Sequence, residues 1–439
     1  MKLKKIRQLV FYKMTGEVHG VYYFLKAKEK TMSRKHIGAF LMAFVLIAAG
    51  AGIAAAQMLL PQQQLGKDIF FDLNLSINAN QSCAACHAPE AGWTGPDSMV
   101  NAHGAVYEGS IPGRFGNRKP PSSAYATQSP ILSVTKGLFA GGNFWDGRAT
   151  GERLGSPAAE QALGPFLNPL EQALMSPADV IGRICTSTYQ GLFLQVCGPM
   201  ACDLATVNTA YDCVGLSVAA YEASPEVNQF SSKYDAVVNG KAKFTKLEQE
   251  GFNVFWGKGK CNKCHTVNPR GKPALFTDYT FDNLGVPKNP ENPFYYADPQ
   301  FNPLGSMWLD LGLGGFLAAQ MMHPEWVPLA PENYGKHKVP TLRNVDKRLL
   351  PAFVKAYGHN GYFKSLKRIV HFYNTRDVLP KCATSVTDAE AEMMGCWPAP
   401  EIALNLNTAE LGNLGLTEAQ EWALVEFMRT LSDGWKGMP

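Results

Sequence analysis

Apolar residues recur at helical spacing in several windows of this chain and alternate at strand spacing in almost none. The clearest window begins at Thr245-Lys246-Leu247-Glu248, a capping box. Leu247, Phe252 and Phe255 form its apolar side, and Gly257 and Gly259 stop it just before Cys261. A second capping box, Thr417-Glu418-Ala419-Gln420, opens a terminal helix. Its apolar positions are Trp422, Leu424, Val425, Phe427, Met428 and Leu431. Ser176-Pro177-Ala178-Asp179 marks another start, and Ser365 to Asn374 reads as a helix as well. Gly- and Pro-rich stretches at 88–145 and 266–340 follow no period, yet they are neither repetitive nor of low complexity. They predict long, ordered loops. Asn239-Gly240 is a turn-forming pair between helical windows and marks a domain boundary.

Residues 38–60 break this pattern, because they are apolar without a polar face. They follow Arg34, Lys35 and His36 and run into Ala54-Ala55-Ala56, the layout of a secretion signal with a small-residue cleavage site. Met32 opens a signal of ordinary length. The run is also just long enough to serve as an uncleaved membrane anchor. Both readings put the bulk of the chain outside the cytoplasm, and the expected location is the periplasm. The segment also distorts the charge. The chain is +4 overall, but its first 56 residues hold 10 Lys+Arg against 2 Asp+Glu. The remainder is net negative, which argues against nucleic acid as a partner. With 46% hydrophobic and 18% charged residues, the chain can build a sizeable core.

The cysteines carry the chemistry. Cys83-Ala84-Ala85-Cys86-His87 and Cys261-Asn262-Lys263-Cys264-His265 both read C-x-x-C-H, the attachment signature of c-type haem. Two thiols bond the two vinyl groups on one porphyrin edge, and the adjacent His turns under the ring to ligate iron. Chance at this composition gives roughly 0.005 such matches per chain, so two are a strong signal. A zinc site would set its two halves about 15–20 residues apart, whereas these motifs begin at residues 83 and 261. The expected fold is therefore mainly α, with two cytochrome-c-like haem domains and long irregular loops wrapped on cofactor. The expected division is 1–56 as extension and signal or anchor, 57–240 as the first haem domain and 241–439 as the second. Six cysteines remain, and an even number in an exported chain predicts disulfides. Cys382 and Cys396 stand alone in the C-terminal half and are expected to pair. Cys185, Cys197, Cys202 and Cys213 allow three pairings.

Around these motifs the chain resembles the bacterial dihaem cytochrome c peroxidases and their MauG-type relatives. The resemblance runs from Leu65-Gly66-Lys67-Asp68-Ile69-Phe70-Phe71-Asp72 through the first motif to Phe144-Trp145-Asp146-Gly147-Arg148-Ala149. It continues in Glu160-Gln161-Ala162 and Pro340-Thr341-Leu342-Arg343-Asn344-Val345. It implies two covalently bound haems, the N-terminal one reactive and the C-terminal one receiving or storing electrons. It implies Glu171 as acid–base carboxylate, Gln161 as its neighbour in the peroxide pocket, and Trp145 as the aromatic between the haems. His103, 16 residues after His87, matches a removable sixth ligand of the N-terminal haem. His87 and His265 are the proximal ligands. At the second haem, Tyr373 matches the distal slot, which holds Met in reductively activated peroxidases and Tyr in MauG-type members. His371, Met322 and His323 are rivals for that slot. His359 matches a family His that is not an axial ligand. The family often holds calcium between its domains through an Asn that follows an Arg. Here Arg118-Lys119 puts a cation there, which argues against the site. Read without the resemblance, Glu171 is a helix-end carboxylate, Trp145 a core aromatic and Tyr373 a packed helix residue.

Three functions follow as expectations. The first is reduction of hydrogen peroxide with electrons from a small periplasmic donor, a cytochrome c or cupredoxin. The second is MauG-type oxidation of a protein or organic substrate through high-valent haems. The third is electron carriage without peroxide chemistry. His103 favours a closed, reductively activated peroxidase, and Tyr373 favours MauG-like electronics. The resemblance also makes a homodimer an expected assembly, and the membrane is a partner only through an uncleaved N-terminal helix.

Overall fold

Two helix crossings organise the chain, and each depends on one glycine. Helix Pro61–Phe71 begins with Pro at its first position and buries Leu65, Gly66, Ile69 and Phe70. It crosses helix Val207–Glu222, and a Cβ at Gly66 would lie 1.8 Å from the Ser217 carbonyl oxygen. No other residue fits there. One turn on, the Phe70 and Tyr221 rings meet edge to face at 5.6 Å. The same device recurs in the second half. Helix Lys246–Trp256 crosses helix Glu418–Arg429, and a Cβ at Gly251 would lie 1.9 Å from the Ala423 carbonyl oxygen. One turn on, Phe255 meets Phe427 at 5.2 Å. Both capping boxes expected from the sequence close as written, with Thr245 and Thr417 as N-caps. The helices at Pro177–Ile184 and Leu366–Thr375 also start where expected.

This computed structural model describes residues 58–267 and 273–437. The segment read as signal or anchor lies outside the described residues, apart from its last three positions. Among the described residues no helix is long and apolar enough to cross a membrane. Each helix crossing lies in its own apolar core. One core holds Leu65, Ile69, Phe70, Phe166, Val214 and Val218, and the other holds Val254, Phe255, Phe276, Phe363, Phe372 and Phe427. Residues Leu59–Pro439 group as one compact unit that contains both cores. Tyr125, of the first core, links them: its Oη donates to Asp433 Oδ2 at 2.7 Å. Arg343, paired with Asp235 at 2.6 and 2.8 Å, lies 5.6 Å from the centre of the Tyr125 ring.

Strand content is small. Ser133–Thr135 pairs antiparallel with Leu138–Ala140, and Phe281–Asp282 with His337–Lys338. The two Gly- and Pro-rich stretches otherwise contain short turns and the helices Ser98–Ala102 and Gly312–Ala318. Cys382 bonds Cys396 as expected, and the cluster pairs as Cys185–Cys202 and Cys197–Cys213. Cys382–Cys396 closes a loop with a sequence separation of 14. Replacing both cysteines by Ala is expected to cost about 3 kcal/mol through the loop entropy restored to the unfolded chain. A lower melting temperature with unchanged haem content would bear this out.

Candidate functional site

Each C-x-x-C-H motif folds as one tight turn, Cys83–Ala85 or Cys261–Lys263. Such a turn eclipses residues three apart, so both thiols of a motif point the same way. The His that follows is drawn back, with His87 N donating to Cys83 O at 3.0 Å and His265 N to Cys261 O at 2.9 Å. These four cysteines are free, whereas the other six are disulfide-bonded.

Each His is then fixed by a carbonyl. His87 Nδ1 lies 3.3 Å from Trp93 O, and His265 Nδ1 lies 2.9 Å from Phe276 O. A carbonyl only accepts, so Nδ1 carries the proton and Nε2 keeps a lone pair for a metal. Trp93 and Phe276 both hold left-handed backbone, with φ of 63° and 54°. That conformation is costly for an aromatic residue, and here it aims the carbonyl at the ring. Burial pulls His87 down to about 4 and also lowers His265, so both imidazoles are neutral, as metal ligands must be.

Two cavities open above the motifs. Cys83, Cys86 and His87 line the first. Cys261, Cys264 and His265 line the second. Free thiol pairs beside neutral imidazoles whose Nδ1 is already bonded fit two haems.

Glu171, Gln161 and Trp145 line the first cavity. Gln161 sits on helix Pro157–Leu167, while neighbouring Glu160 turns away to accept backbone N–H groups of Gly151, Arg153 and Leu154. Asn168 caps that helix and shapes the turn beyond it, accepting from Leu170 N at 3.0 Å. Its amide donates to Glu171 Oε1 at 2.8 Å. Burial pushes the Glu171 carboxyl up, opposed by the Arg148 charge and by the Asn168 hydrogen bond. Arg148 lies over the Phe144 ring at 3.7 Å and pairs with Asp146. Trp145 lines both cavities. Its Nε1 donates to Lys119 O at 2.8 Å, and its carbonyl accepts from Lys338 N at 2.8 Å.

His103 stands outside the first cavity. Its side chain is 61% exposed and its Nδ1 meets Glu291 Oε1 at 2.9 Å. Lys364 Nζ and Asn289 Nδ2 both donate to its carbonyl, which pins the loop in this position. Tyr107, from the same loop, lines the cavity instead. Spacing of 16 from His87 places the loop but not the side of it that a ring faces.

In the second cavity the structure separates Tyr373 from its rivals. Leu366, Ile369, Val370 and Tyr373 all line it, the i, i+3, i+4, i+7 stripe of one helix face. His371 points elsewhere, with Nδ1 at 2.9 Å from Glu421. Met322 is 84% exposed. His323 bridges Glu152 and Glu325. The stripe is legible in the sequence and marks which face of this helix lines the cavity. His359 is buried, lines the second cavity and stacks on His337 with ring centres 3.5 Å apart.

Sequence reasoning missed Glu222, which lines the first cavity at the end of an otherwise apolar helix face. Burial pushes its carboxyl up to about 8, and Oε2 has no hydrogen-bond partner among the described residues. Nothing in its sequence context marks it.

Comparison with known proteins finds relatives along most of the chain. A family model described as di-haem cytochrome c peroxidase matches residues 61–243. The methylamine utilization protein MauG of Paracoccus denitrificans is 34% identical over 401 residues, covering 89% of this chain and 94% of that protein. A cytochrome-c peroxidase of Denitromonas iodatirespirans is 25% identical, covering 84% and 80%. The crystal structure of the diheme peroxidase BthA from Burkholderia thailandensis superposes with a TM-score of 0.68 at 30% identity, covering 87% of this chain and 88% of that one.

Proposed function

The chain belongs to the bacterial dihaem cytochrome c peroxidase and MauG family and is a haem-dependent oxidoreductase; from that premise we propose that it reduces hydrogen peroxide in its first cavity, which stands open in the resting protein. Residues 57–240 form the reacting half and 241–439 the half that takes up electrons from a small periplasmic donor, a cytochrome c or cupredoxin. Cys83, Cys86 and His87 hold one haem. Cys261, Cys264 and His265 would hold the other, with the Tyr373 hydroxyl available to its iron from the same cavity. When bound, the haems would supply the redox chemistry that peroxide reduction needs.

The chain's own residues manage protons and access. Glu171 takes the proton of an arriving peroxide and returns it to the leaving oxygen. The balance is one peroxide, two electrons and two protons to two waters. Burial holds the Glu171 carboxyl above the usual range, which suits a group that must both accept and donate near neutral pH. Asn168 fixes which Glu171 oxygen faces the cavity, and Gln161 gives the bound peroxide a hydrogen-bond partner. Trp145 relays electrons between the cavities.

The observation that carries this reading is that Glu171, Gln161 and His87 share one cavity while His103 is held outside it by Glu291, Asn289 and Lys364. Oxidation of a protein or organic substrate is a second reading, favoured by Tyr373 at the second cavity. His103→Ala tests the open site. The variant is expected to oxidise a reduced c-type cytochrome with peroxide at the wild-type rate, with no prior reduction of either enzyme. A wild-type enzyme that stays silent until reduced, beside a variant that needs no reduction, would make His103 the closing ligand and end this reading.

A further inference from the structure

The wall between the two cavities contains ammonium groups that have no carboxylate partner among the described residues. Lys119 lines both cavities and is 8% exposed. Its Nζ donates to Thr94 Oγ1 at 3.1 Å and Pro120 O at 3.0 Å, both neutral oxygens. Lys338 lines the second cavity, and its Nζ donates to Ser129 Oγ at 2.6 Å, Asn143 Oδ1 at 2.9 Å and the Gly142 carbonyl. The two lysines bracket Trp145, one through each end of that residue. Burial lowers Lys119 to about 8 and Lys338 to about 7, and no charged neighbour offsets it.

A buried ammonium without a counter-charge is costly. The counter-charge here must come from what fills the cavities. Each haem carries two propionates, so haems bound in the two cavities would bring carboxylates into the spaces that Lys119 borders. The calcium ion implied by the resemblance would serve the same electrostatic need. It requires lone-pair oxygen ligands. At the position of the expected Asn stands Lys119, whose ammonium has no lone pair and repels a divalent cation. The residues present do not fit calcium.

We propose that the Lys119 ammonium is the built-in cation of the wall between the two haem cavities, neutralising haem propionates on both sides, and that this chain holds no calcium there. The inference rests on the two haems and not on which reaction they perform. Elemental analysis of the purified holoprotein, with melting and haem spectra recorded in EGTA and in excess calcium, tests it first. The expected result is no bound calcium and no change between the two solutions. Stoichiometric calcium, or a melting temperature that falls in EGTA, would overturn it. Potentiometric titration of Lys119→Met and Lys119→Arg supplies the second test. Removing a buried positive charge disfavours the reduced haem, so both midpoint potentials are expected to fall in Lys119→Met and to be retained in Lys119→Arg. Unchanged potentials in Lys119→Met, or a fall at one haem alone, would contradict a cation shared by both cavities. If neither variant folds, the wild-type metal analysis still decides whether calcium is present.

Discussion

Glu171→Gln is expected to keep both haems and slow the peroxide reaction by about 10²–10⁴-fold, the range of a lost general acid–base group. The substitution preserves size and leaves an acceptor oxygen for the Asn168 amide, which now sits 2.8 Å from Glu171 Oε1. It removes only the ability to take and return a proton. The pH dependence follows from the same groups. Burial raises the Glu171 carboxyl, so the low-pH limb of kcat/KM lies above the ordinary Glu range. The Asn168 hydrogen bond stabilises the charged form. Asn168→Ala therefore moves that limb further toward alkaline pH. Rates within a factor of a few of wild type across the pH range in Glu171→Gln would remove Glu171 from the proton path.

Tyr373→Met is expected to raise the midpoint potential of the second haem by hundreds of millivolts, within the roughly 0.8 V span that axial ligands control. A phenolate is a hard anionic donor that favours ferric iron, whereas a thioether favours ferrous. Tyr373 lines the second cavity beside Cys261, Cys264 and His265. Burial, with Cys264 and Asp282 close by, holds its phenol well above the usual range. It therefore stays protonated unless a metal displaces the proton. Potentiometry read by the haem bands measures the shift. An unchanged potential would mean that Tyr373 packs against the haem without ligating it.

The parts legible in the sequence were those that depend on neighbours along the chain. The capping boxes at Thr245 and Thr417 are four-residue devices, and both formed. The C-x-x-C-H turns are equally local. The contacts that build the cores are not. Gly66 meets Ser217 and Gly251 meets Ala423 across more than a hundred residues, so neither glycine announced its partner. Position on a loop was legible where orientation was not. His103 lies in the expected loop, yet Glu291 and Lys364, far along the chain, decide where it faces. Tyr373 is the opposite case. It lies two residues from His371, so on a helix the two point to different sides, and the stripe of Leu366, Ile369 and Val370 says which side is Tyr373's. Glu222 was invisible because a buried acid at the end of an apolar face breaks the pattern that reading relies on.

A peroxide-reducing site that is open at rest reacts without prior reduction. Stopped-flow mixing of the fully oxidised holoprotein with stoichiometric hydrogen peroxide measures this. The expected result is an immediate change in the haem absorption bands of wild-type protein, largely lost in Glu171→Gln. No change in the oxidised protein, followed by rapid reaction once one electron has been added, would contradict it and show that a ligand from the chain closes the site until reduction.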